Sequence, residues 1–476
     1  MSAHNDSTVH ETSFTTFGDD VGKKDGDYGS IDRTAPTPGR PRYVAVEVVG
    51  LLYFTNTYYL IYHQQFYLRE RAKLEYDVNH LSESLMNNST DRENTIQAKA
   101  TTDLILITLC LILPASLTTL LVGGLSDVFG RKMLMYLSLT GAMIYCINMI
   151  IVVRYSLSVY FLCIGAVLHG LGGYFATMMT ALFSTVADIT EPGDRRSWRM
   201  ILLSFILFLA SALGASISGI WIDRAGYLQP LYLSIALCIA SLFVVIIFIP
   251  ETHQAAKSKH VLKENLSIIK QGFNFYFAPS KTRTLVGLCL MTFITSFSVG
   301  FTKQMILNLF LLTSPFFWST THITLYSALR VLLSWFVILL TTGCLRRVMS
   351  AISLTLVGVL SNIVSLVLIA TSTNDPMIYI AGVAGVYAQA TGPLMRGFMS
   401  SLASPDQQGA VFCVLDLSEM VSTAVFTVAG GLIYAATLAI FPGFVFIALA
   451  LILLFVAVAL FIAKRLQDRE GDGSID

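Results

Sequence analysis

The clearest ionisable residues inside long apolar segments are six, and an isolated charge there is costly. Three are acids and three are bases: Glu47, Lys303, Arg330, Arg396, Asp416 and Glu419. A charged side chain near the centre of a bilayer costs about 2.5 to 3.5 kcal/mol on insertion scales, so such groups face a partner or a water-filled path. The equal numbers predict internal pairing, and we interpret all six as candidates for substrate binding or proton coupling.

Arg396, Asp416 and Glu419 are expected to meet because they lie at similar depth in consecutive segments. Each is a few residues from the turn that joins the two segments, and a helix rises only ~1.5 Å per residue. Asp416 and Glu419 are three residues apart and therefore share one face of a helix. Two carboxylates that share one guanidinium can also share a proton. The alternative is a static structural ion pair.

Lys303 and Arg330 are predicted at similar depth on neighbouring segments. Two like charges repel unless an anion joins them, so the pair favours a negatively charged solute; alternatively, both long side chains extend to the membrane interface. His169 lies in the middle of another apolar segment, and imidazole titrates near neutral pH, which suits proton coupling. The alternative for His169 is a buried ring that donates to a backbone carbonyl.

The segments that position these residues indicate a membrane protein. The 476 residues are 54% hydrophobic and 13% charged, whereas soluble domains are about 45 to 50% apolar and about 25% charged. Since one crossing needs ~20 apolar residues, we predict an all-α membrane protein of twelve transmembrane helices in two pseudo-symmetric six-helix halves. The predicted spans are 44–67, 101–122, 132–153, 158–186, 200–221, 229–249, 284–312, 322–342, 348–371, 377–400, 410–435 and 442–463.

The predicted organisation follows from these spans. It comprises a disordered tail at 1–42, a first half at 43–250, a linker at 251–283, a second half at 284–463 and a tail at 464–476. Lys and Arg are about three times as frequent on the side of the two termini as on the opposite side. The positive-inside rule therefore predicts that both termini are cytoplasmic.

The turn between the second and third spans carries a specific motif. It has the pattern G-x-x-x-D-x-x-G-R-[RK], with Gly123, Asp127, Gly130, Arg131 and Lys132 at the fixed positions. Glycines let two backbones approach closely, and the two bases mark the cytoplasmic side. This turn resembles the conformational motif of the major facilitator superfamily of solute transporters.

Further segments resemble one solute carrier branch of that superfamily, which includes the proton-coupled folate transporter, the thymic stromal cotransporter homologue and their lysosomal relative. The segments that carry the resemblance are Val46-Glu47 with Gln64-Gln65, Ser184 to Asp188, Arg199-Met200, Leu311 to Trp318, Gly392 to Arg396, Gly409 to Phe412 and Phe441 to Phe444. The resemblance implies a rocking two-domain carrier with a central cavity, often proton-coupled and accepting organic anions.

The resemblance also implies roles for single residues. Asp127 would brace the cytoplasmic start of the eleventh helix, where a carboxylate is stabilised by the helix dipole. Arg396 corresponds to an arginine implicated in substrate or proton handling, and Glu419 matches an acid of the lysosomal relative. The chain departs from the folate carrier where that protein has acids, at Tyr174 and Ser204. These departures argue against folate as the substrate.

Other patterns limit the remaining function classes. Asn87 and Asn88 begin two overlapping N-x-[ST] sequons in a predicted outside loop, which is either glycosylated or left unmodified. All seven cysteines fall in apolar segments, so no metal site or external disulfide is predicted. Phosphate-binding and hydrolase motifs are absent from the sequence. The net charge of +1 gives no argument for a nucleic-acid partner.

We therefore predict a secondary active transporter, not an enzyme, which moves a small organic and anionic solute by alternating access. Protons are the expected coupling ion, and no other cofactor is expected. The lipid bilayer is the expected environment, in either the plasma membrane or an endolysosomal membrane. Two alternatives remain open, namely a transport-inactive receptor or scaffold and an intramembrane hydrolase.

Overall fold

The computed structural model describes residues 44–79, 89–190, 194–251, 261–277, 283–345, 347–402 and 408–472. Within these ranges the chain is built from α-helices joined by short turns. The first group of helices is α1 (Ala45–Asn79), α2 (Ser89–Phe129), α3 (Arg131–Arg154), α4 (Phe161–Leu171), α5 (Tyr174–Ile189), α6 (Asp194–Ala225) and α7 (Gln229–Phe248).

A separate helix, α8 (Val261–Phe277), lies in the predicted linker. The second group is α9 (Arg283–Leu311), α10 (Thr320–Leu345), α11 (Ala351–Ala370), α12 (Asp375–Ala384), α13 (Thr391–Leu402), α14 (Gln408–Thr437) and α15 (Phe444–Asp472). A 3₁₀ helix, Val386–Ala390, joins α12 to α13. We call the side of the bundle where α1 begins the inner side, following the charge distribution, and the opposite side the outer side.

Ten helices among the described residues are long and apolar enough to cross a membrane. The first and tenth predicted crossings do not meet that criterion. Helix α1 is 35 residues long but carries polar side chains that are buried against other helices, such as Asn56, His63 and Gln65. The tenth crossing is divided between α12 and α13. Both are consistent with twelve crossings, because a segment enclosed by protein need not be apolar or continuous.

The fourth crossing is also broken, between α4 and α5. Gly173 has φ 81°, a left-handed conformation that glycine adopts without strain. A Cβ atom on Gly170 would meet the Leu111 carbonyl, and one on Gly172 would lie 2.9 Å from the Leu137 carbonyl. These glycines therefore allow α4 to pack closely against α2 and α3, as in other membrane helix pairs.

The same packing pattern occurs in the two groups of helices. Helix α1 packs against α6 and α7, and α9 packs in the corresponding way against α14 and α15. The pair α3 and α7 is matched by α11 and α15. Contacts between the groups run mainly through α2 with α14 and α6 with α10, which are again corresponding pairs. The two halves therefore repeat one arrangement, as the sequence predicted.

Large apolar side chains are exposed on the outward faces of these helices. Leu329 is 60% exposed, Phe336 62% and Phe455 72%. Such exposure would be unfavourable in water, but lipid tails are as apolar as these side chains. The surface therefore fits a bilayer.

The expected outside loop is largely helical. The sequence placed an outside loop between Arg69 and Ala100, but α1 continues to Asn79 and α2 begins at Ser89. Ion pairs support these extensions, since Arg69 contacts Glu93 and Arg92 lies 2.5 Å from Asp77. The predicted tail 1–42 lies outside the described residues.

Candidate functional site

Arg396, Asp416 and Glu419 form one ion-pair cluster. Arg396 Nη1 lies 2.9 Å from Asp416 Oδ1, and Arg396 Nη2 donates a hydrogen bond of 2.6 Å to Glu419 Oε2. The guanidinium comes from α13, and both carboxylates come from α14. The contact predicted from the sequence is therefore present. The geometry holds because the planar guanidinium offers separate donors to two acceptors.

The three side chains differ in exposure. The Glu419 side chain is 5% exposed, whereas those of Asp416 and Arg396 are 26% and 36% exposed. The Arg396 guanidinium also lies 5.1 Å from the centre of the Phe293 ring on α9, in a cation-π contact. Glu419 is thus the most enclosed carboxylate of the cluster.

A cavity lies between the two halves of the protein. Helices α1, α2 and α5 of the first half and α9 and α14 of the second half form its wall. Its lining includes Gln64, Thr108, Tyr174, Phe301, Met305 and Glu419. Glu419 is therefore shared between the ion-pair cluster and the cavity wall.

The cluster can change its net charge by one unit when it takes up a proton. With both carboxylates ionised, the Arg396, Asp416 and Glu419 cluster carries one negative charge, and one proton makes it neutral. The cavity around Glu419 is lined largely by apolar side chains such as Phe301 and Met305. In such surroundings a change of charge is poorly screened, so it changes the binding free energy of a charged solute in the cavity.

Glu47 pairs with a residue that the sequence had not assigned to it. Arg199 Nη2 on α6 lies 2.7 Å from Glu47 Oε1 near the inner end of α1. Both residues belong to the first half, and neither is a lining residue of the cavity. Because 152 positions separate them, sequence spacing alone gave no signal for the pair.

Lys303 and Arg330 bind different partners. Lys303 is 4% exposed and donates hydrogen bonds to Asn362 Oδ1 at 3.0 Å and Ser365 Oγ at 2.8 Å, both on α11. Arg330 instead donates to the amide oxygen of Gln304 on α9. The alternative, in which both side chains extend to the membrane interface, is wrong, because both bind polar groups inside the protein.

His169 is enclosed by aromatic side chains. Its ring stacks on Tyr145 with centroids 5.5 Å apart and meets the Tyr174 ring edge at 5.0 Å. Neither ring nitrogen has a hydrogen-bond partner among the described residues. The expected bond to a backbone carbonyl is therefore not found there. His169 is 3% exposed and is not a lining residue of the cavity, but it packs against Tyr174, which is.

The turn motif joins α2 to α3 at the inner side. Helix α2 ends at Phe129, and Gly130 follows with φ 89°. A side chain on Gly130 would meet the carboxyl group of Glu251, which accepts a 2.9 Å hydrogen bond from the Arg131 backbone nitrogen. The positions of Gly123 and Asp127 are helical, and the proposed bracing by Asp127 lies outside what the structure describes.

The bases of the motif connect helices of the first half. Arg131 Nε lies 3.2 Å from Asp188 Oδ2 near the end of α5, and Lys132 Nζ donates to the Ile246 carbonyl at 3.0 Å. Asp188 had appeared only as part of a family segment. The motif therefore fastens the start of α3 to the inner ends of α5 and α7.

Hydrogen bonds between the halves gather at the outer side. Asn308 Nδ2 on α9 donates to Gln65 Oε1 on α1 at 2.7 Å. Gln97 Nε2 on α2 donates to the Tyr434 hydroxyl on α14 at 3.2 Å. These side chains lie near the outer ends of their helices and hold the two halves together there.

Asp223 makes a further contact between the halves. Its carboxylate accepts a 2.9 Å hydrogen bond from the backbone nitrogen of Thr321 and another from the Thr320 hydroxyl. These groups form the beginning of α10, where unpaired amides favour a carboxylate. Sequence reasoning passed over Asp223 because it falls just outside the predicted span 200–221.

Asp103 is a second acid that sequence reasoning passed over. It is 3% exposed in α2, and Lys99 Nζ contacts its Oδ1 at 2.9 Å. Lys99 also donates to the Tyr160 hydroxyl at 3.2 Å. The signal was available, because Asp103 falls inside the predicted second span.

Two remaining points concern metal binding and glycosylation. The part of the chain that the structure describes contains no group of three His, Cys, Asp or Glu side chains able to hold a metal ion. Asn87 and Asn88, the predicted glycan acceptors, lie outside the described residues.

Comparison with known proteins identifies the family. The profile of the Major Facilitator Superfamily matches residues 90–341, which is more than half of the chain. The chain belongs to the major facilitator superfamily. It is accordingly a multi-pass membrane transporter and not an enzyme.

Curated relatives fall in the branch that the sequence resembled. The proton-coupled folate transporter of Rattus norvegicus is 28% identical over 333 residues, covering 69% of this chain and 71% of that protein. The lysosomal proton-coupled steroid conjugate and bile acid symporter SLC46A3 of Homo sapiens is 27% identical over 371 residues, covering 76% and 79%. The predicted resemblance to this branch is confirmed.

Solved structures of transporters share the fold. The human organic anion transporter MFSD10 (TETRAN) is 16% identical with a TM-score of 0.61, covering 89% of this chain and 100% of that chain. A D-xylose-proton symporter is 13% identical with a TM-score of 0.65, covering 88% and 96%. At these identities the likeness extends to the fold alone.

Proposed function

We propose that this protein is a proton-coupled symporter of a small organic anion that works by alternating access. Glu419 carries the proposal, because its carboxylate bonds Arg396 and at the same time lines the cavity between the halves. Proton uptake at Glu419 therefore changes the charge of the ion-pair cluster and of the cavity wall together. The names of the curated relatives support protons as the coupling ion and organic anions as the substrates.

The proposed cycle begins with proton uptake by the Asp416 and Glu419 pair. With one acid neutral, Arg396 is held less strongly, because a charged hydrogen bond is roughly twice as strong as a neutral one. Arg396 can then rearrange, or contact the solute as it enters the cavity. Release of the proton on the opposite side restores the cluster and resets the carrier.

The contacts at the outer side support a conformation that is closed toward that side. Opening outward requires that Gln65 part from Asn308, Gln97 from Tyr434, and Asp223 from the start of α10. Each is a modest interaction of about 0.5 to 1.5 kcal/mol, or somewhat more where a charge takes part. Solute binding and protonation can therefore shift this equilibrium.

The orientation and location are also part of the proposal. The excess of Lys and Arg on the inner side supports a cytoplasmic position for both termini. One of the relatives is a lysosomal symporter. An endolysosomal membrane encloses an acidic lumen, and a plasma membrane can face an acidic exterior. In either case protons would drive solute toward the cytoplasm.

Uptake by purified protein in proteoliposomes tests the proposal. Folate, taurocholate and estrone sulfate serve as labelled probes, and a pH-sensitive dye inside the vesicles reports proton movement. We expect an acidic exterior to drive accumulation of at least one probe together with acidification of the lumen. Equal uptake with and without the pH gradient, and no solute-dependent acidification, would show that the protein is not a proton symporter of these anions.

A further inference from the structure

Three cations within the spans of the second half have different partners. Arg396 binds two carboxylates, Asp416 and Glu419. Lys303 is enclosed by Asn362 and Ser365 within that half. Arg330 has no carboxylate partner in the described ranges, and its guanidinium donates to the neutral amide oxygen of Gln304.

Arg330 is therefore an incompletely satisfied charge. Its Nε atom is buried and has no hydrogen-bond partner among the described residues. The side chain is only partly buried, so a solute can reach it more easily than it can reach Lys303, which is 4% exposed. A charge held without a counter-charge in a poorly solvated site gains strongly from an incoming anion.

The environment of Arg330 is formed by both halves. Gln304 presents its oxygen to Arg330, and its Nε2 lies 3.3 Å from the Tyr62 hydroxyl of α1, 2.9 Å from Asn308 and 3.2 Å from Ser327. These neighbours are hydroxyl and amide groups, which can also donate to an anionic ligand. The Gln304 amide thus occupies the position in which an acceptor from a solute would be bound.

The Arg330 site is separate from the ion-pair cluster. Phe293 contacts Arg396, and Gln304 contacts Arg330, on the same helix α9. Eleven residues separate these two positions, which corresponds to roughly 16 Å along a helix. A proton and an anion can therefore be bound at different places in one transport cycle.

We infer that Arg330, together with Tyr62 and Ser327, forms a subsite that binds the carboxylate or sulfate group of the transported anion in place of the Gln304 amide oxygen. The inference rests on the proposed function and names the residue that recognises the charge of the substrate. Displacement of Gln304 would also weaken its hydrogen bond to Tyr62 on the other half. Anion binding at Arg330 is in this way linked to the contacts that close the outer side.

The most specific test introduces a carboxylate beside Arg330 by substituting Gln304, which already contacts it. In Gln304→Glu the new carboxylate pairs with Arg330 and competes with any solute anion for the guanidinium. The control is Gln271→Glu, which makes the same substitution at an exposed position of α8, away from Arg330. Arg330→Gln removes the charge itself, and Arg330→Lys keeps it without the planar donor geometry.

Binding of estrone sulfate is measured by thermal stabilisation of the full-length protein in detergent, with neutral estrone as the matched probe. We expect Gln304→Glu and Arg330→Gln to bind estrone sulfate about 10- to 100-fold more weakly, the loss of a charged hydrogen bond. Binding of estrone should change little, and Gln271→Glu should retain the affinity for the sulfate.

Two results would overturn the inference. One is that wild-type protein shows no preference for estrone sulfate over estrone. The other is that Gln304→Glu and Arg330→Gln bind the sulfate as tightly as wild type does. Failure of the proposed function looks different, because Arg330-dependent anion binding would then persist although uptake does not respond to a pH gradient.

Discussion

Glu419→Gln gives the most direct test of proton coupling. The amide has nearly the same shape as the carboxylic acid but cannot exchange a proton at working pH. It can still accept a hydrogen bond from Arg396, whose Nη2 lies 2.6 Å from the carboxylate in the wild type. The substitution therefore resembles a permanently protonated Glu419.

The structure sets the size of the effect on stability. Glu419→Gln replaces an ion pair by a hydrogen bond between the charged guanidinium and a neutral amide, which loses roughly 1 kcal/mol. Arg396 is not left as an isolated charge, because Asp416 remains 2.9 Å away. Removing the only partner of a buried ion would cost about 3 to 5 kcal/mol. The variant should therefore fold and reach the membrane.

The effect on transport should be far larger. One proton carried with one monovalent anion is electroneutral, so a gradient of one pH unit supplies 1.36 kcal/mol and about tenfold accumulation. If Glu419 carries that proton, Glu419→Gln should exchange labelled solute across the membrane but accumulate none. Uptake into proteoliposomes at two external pH values, beside counterflow at equal pH, measures both quantities.

Glu47→Gln is the matched control. Glu47 has a 7% exposed side chain and binds Arg199 at 2.7 Å, so the substitution removes a charge of similar burial and geometry. Its ion pair lies within the first half and away from the cavity lining. Glu47→Gln should keep the pH response. Our reasoning would be refuted if Glu419→Gln still accumulated solute in response to the gradient, or if both variants lost the response equally.

Three further predictions concern the cluster, the outer closure and the helix packing. Arg396→Lys should lower gradient-driven uptake at least about tenfold, because an ammonium cannot hold two carboxylates in the geometry of a guanidinium; unchanged uptake would argue against the cluster. Asp223→Ala should loosen the cap on α10 by about 1 kcal/mol and speed labelling, about fivefold, of a cysteine introduced at Thr108 by an impermeant thiol reagent from outside; an unchanged labelling rate would contradict the closure. Gly214→Ala, whose Cβ would meet the Thr55 carbonyl, should destabilise the protein by about 1 to 3 kcal/mol in thermal unfolding, whereas Gly287→Ala, with open space around it, should not.

The contact among Arg396, Asp416 and Glu419 could be predicted because it is nearly local. Helices α13 and α14 follow one another, so counting residues from the shared turn placed the three side chains at equal depth. The i, i+3 spacing of the two acids then put both on one helical face. No knowledge of the rest of the bundle was needed.

Other partners could not be predicted, because they depend on how the helices rotate and pack. Glu47 pairs with Arg199 on a helix far away in the sequence, and Arg330 bonds the neutral Gln304 of the preceding helix rather than an acid. The sequence predicted that one anion joins Arg330 and Lys303, but their helices direct the two side chains toward different neighbours. Counting acids and bases in the sequence shows which ion pairs are possible, whereas the rotation and packing of the helices determine which of these pairs form.

The distribution of apolar residues, the turn motif and the excess of Lys and Arg on one side were enough to indicate a two-half membrane carrier. These features act through the bilayer and short-range geometry, which depend on composition and spacing. Tertiary structure alone decided that Glu419 faces both Arg396 and the cavity, and that Arg330 donates to the neutral amide of Gln304. Such choices arise when many helices pack at once, since each side chain can take only the partners that its helix faces.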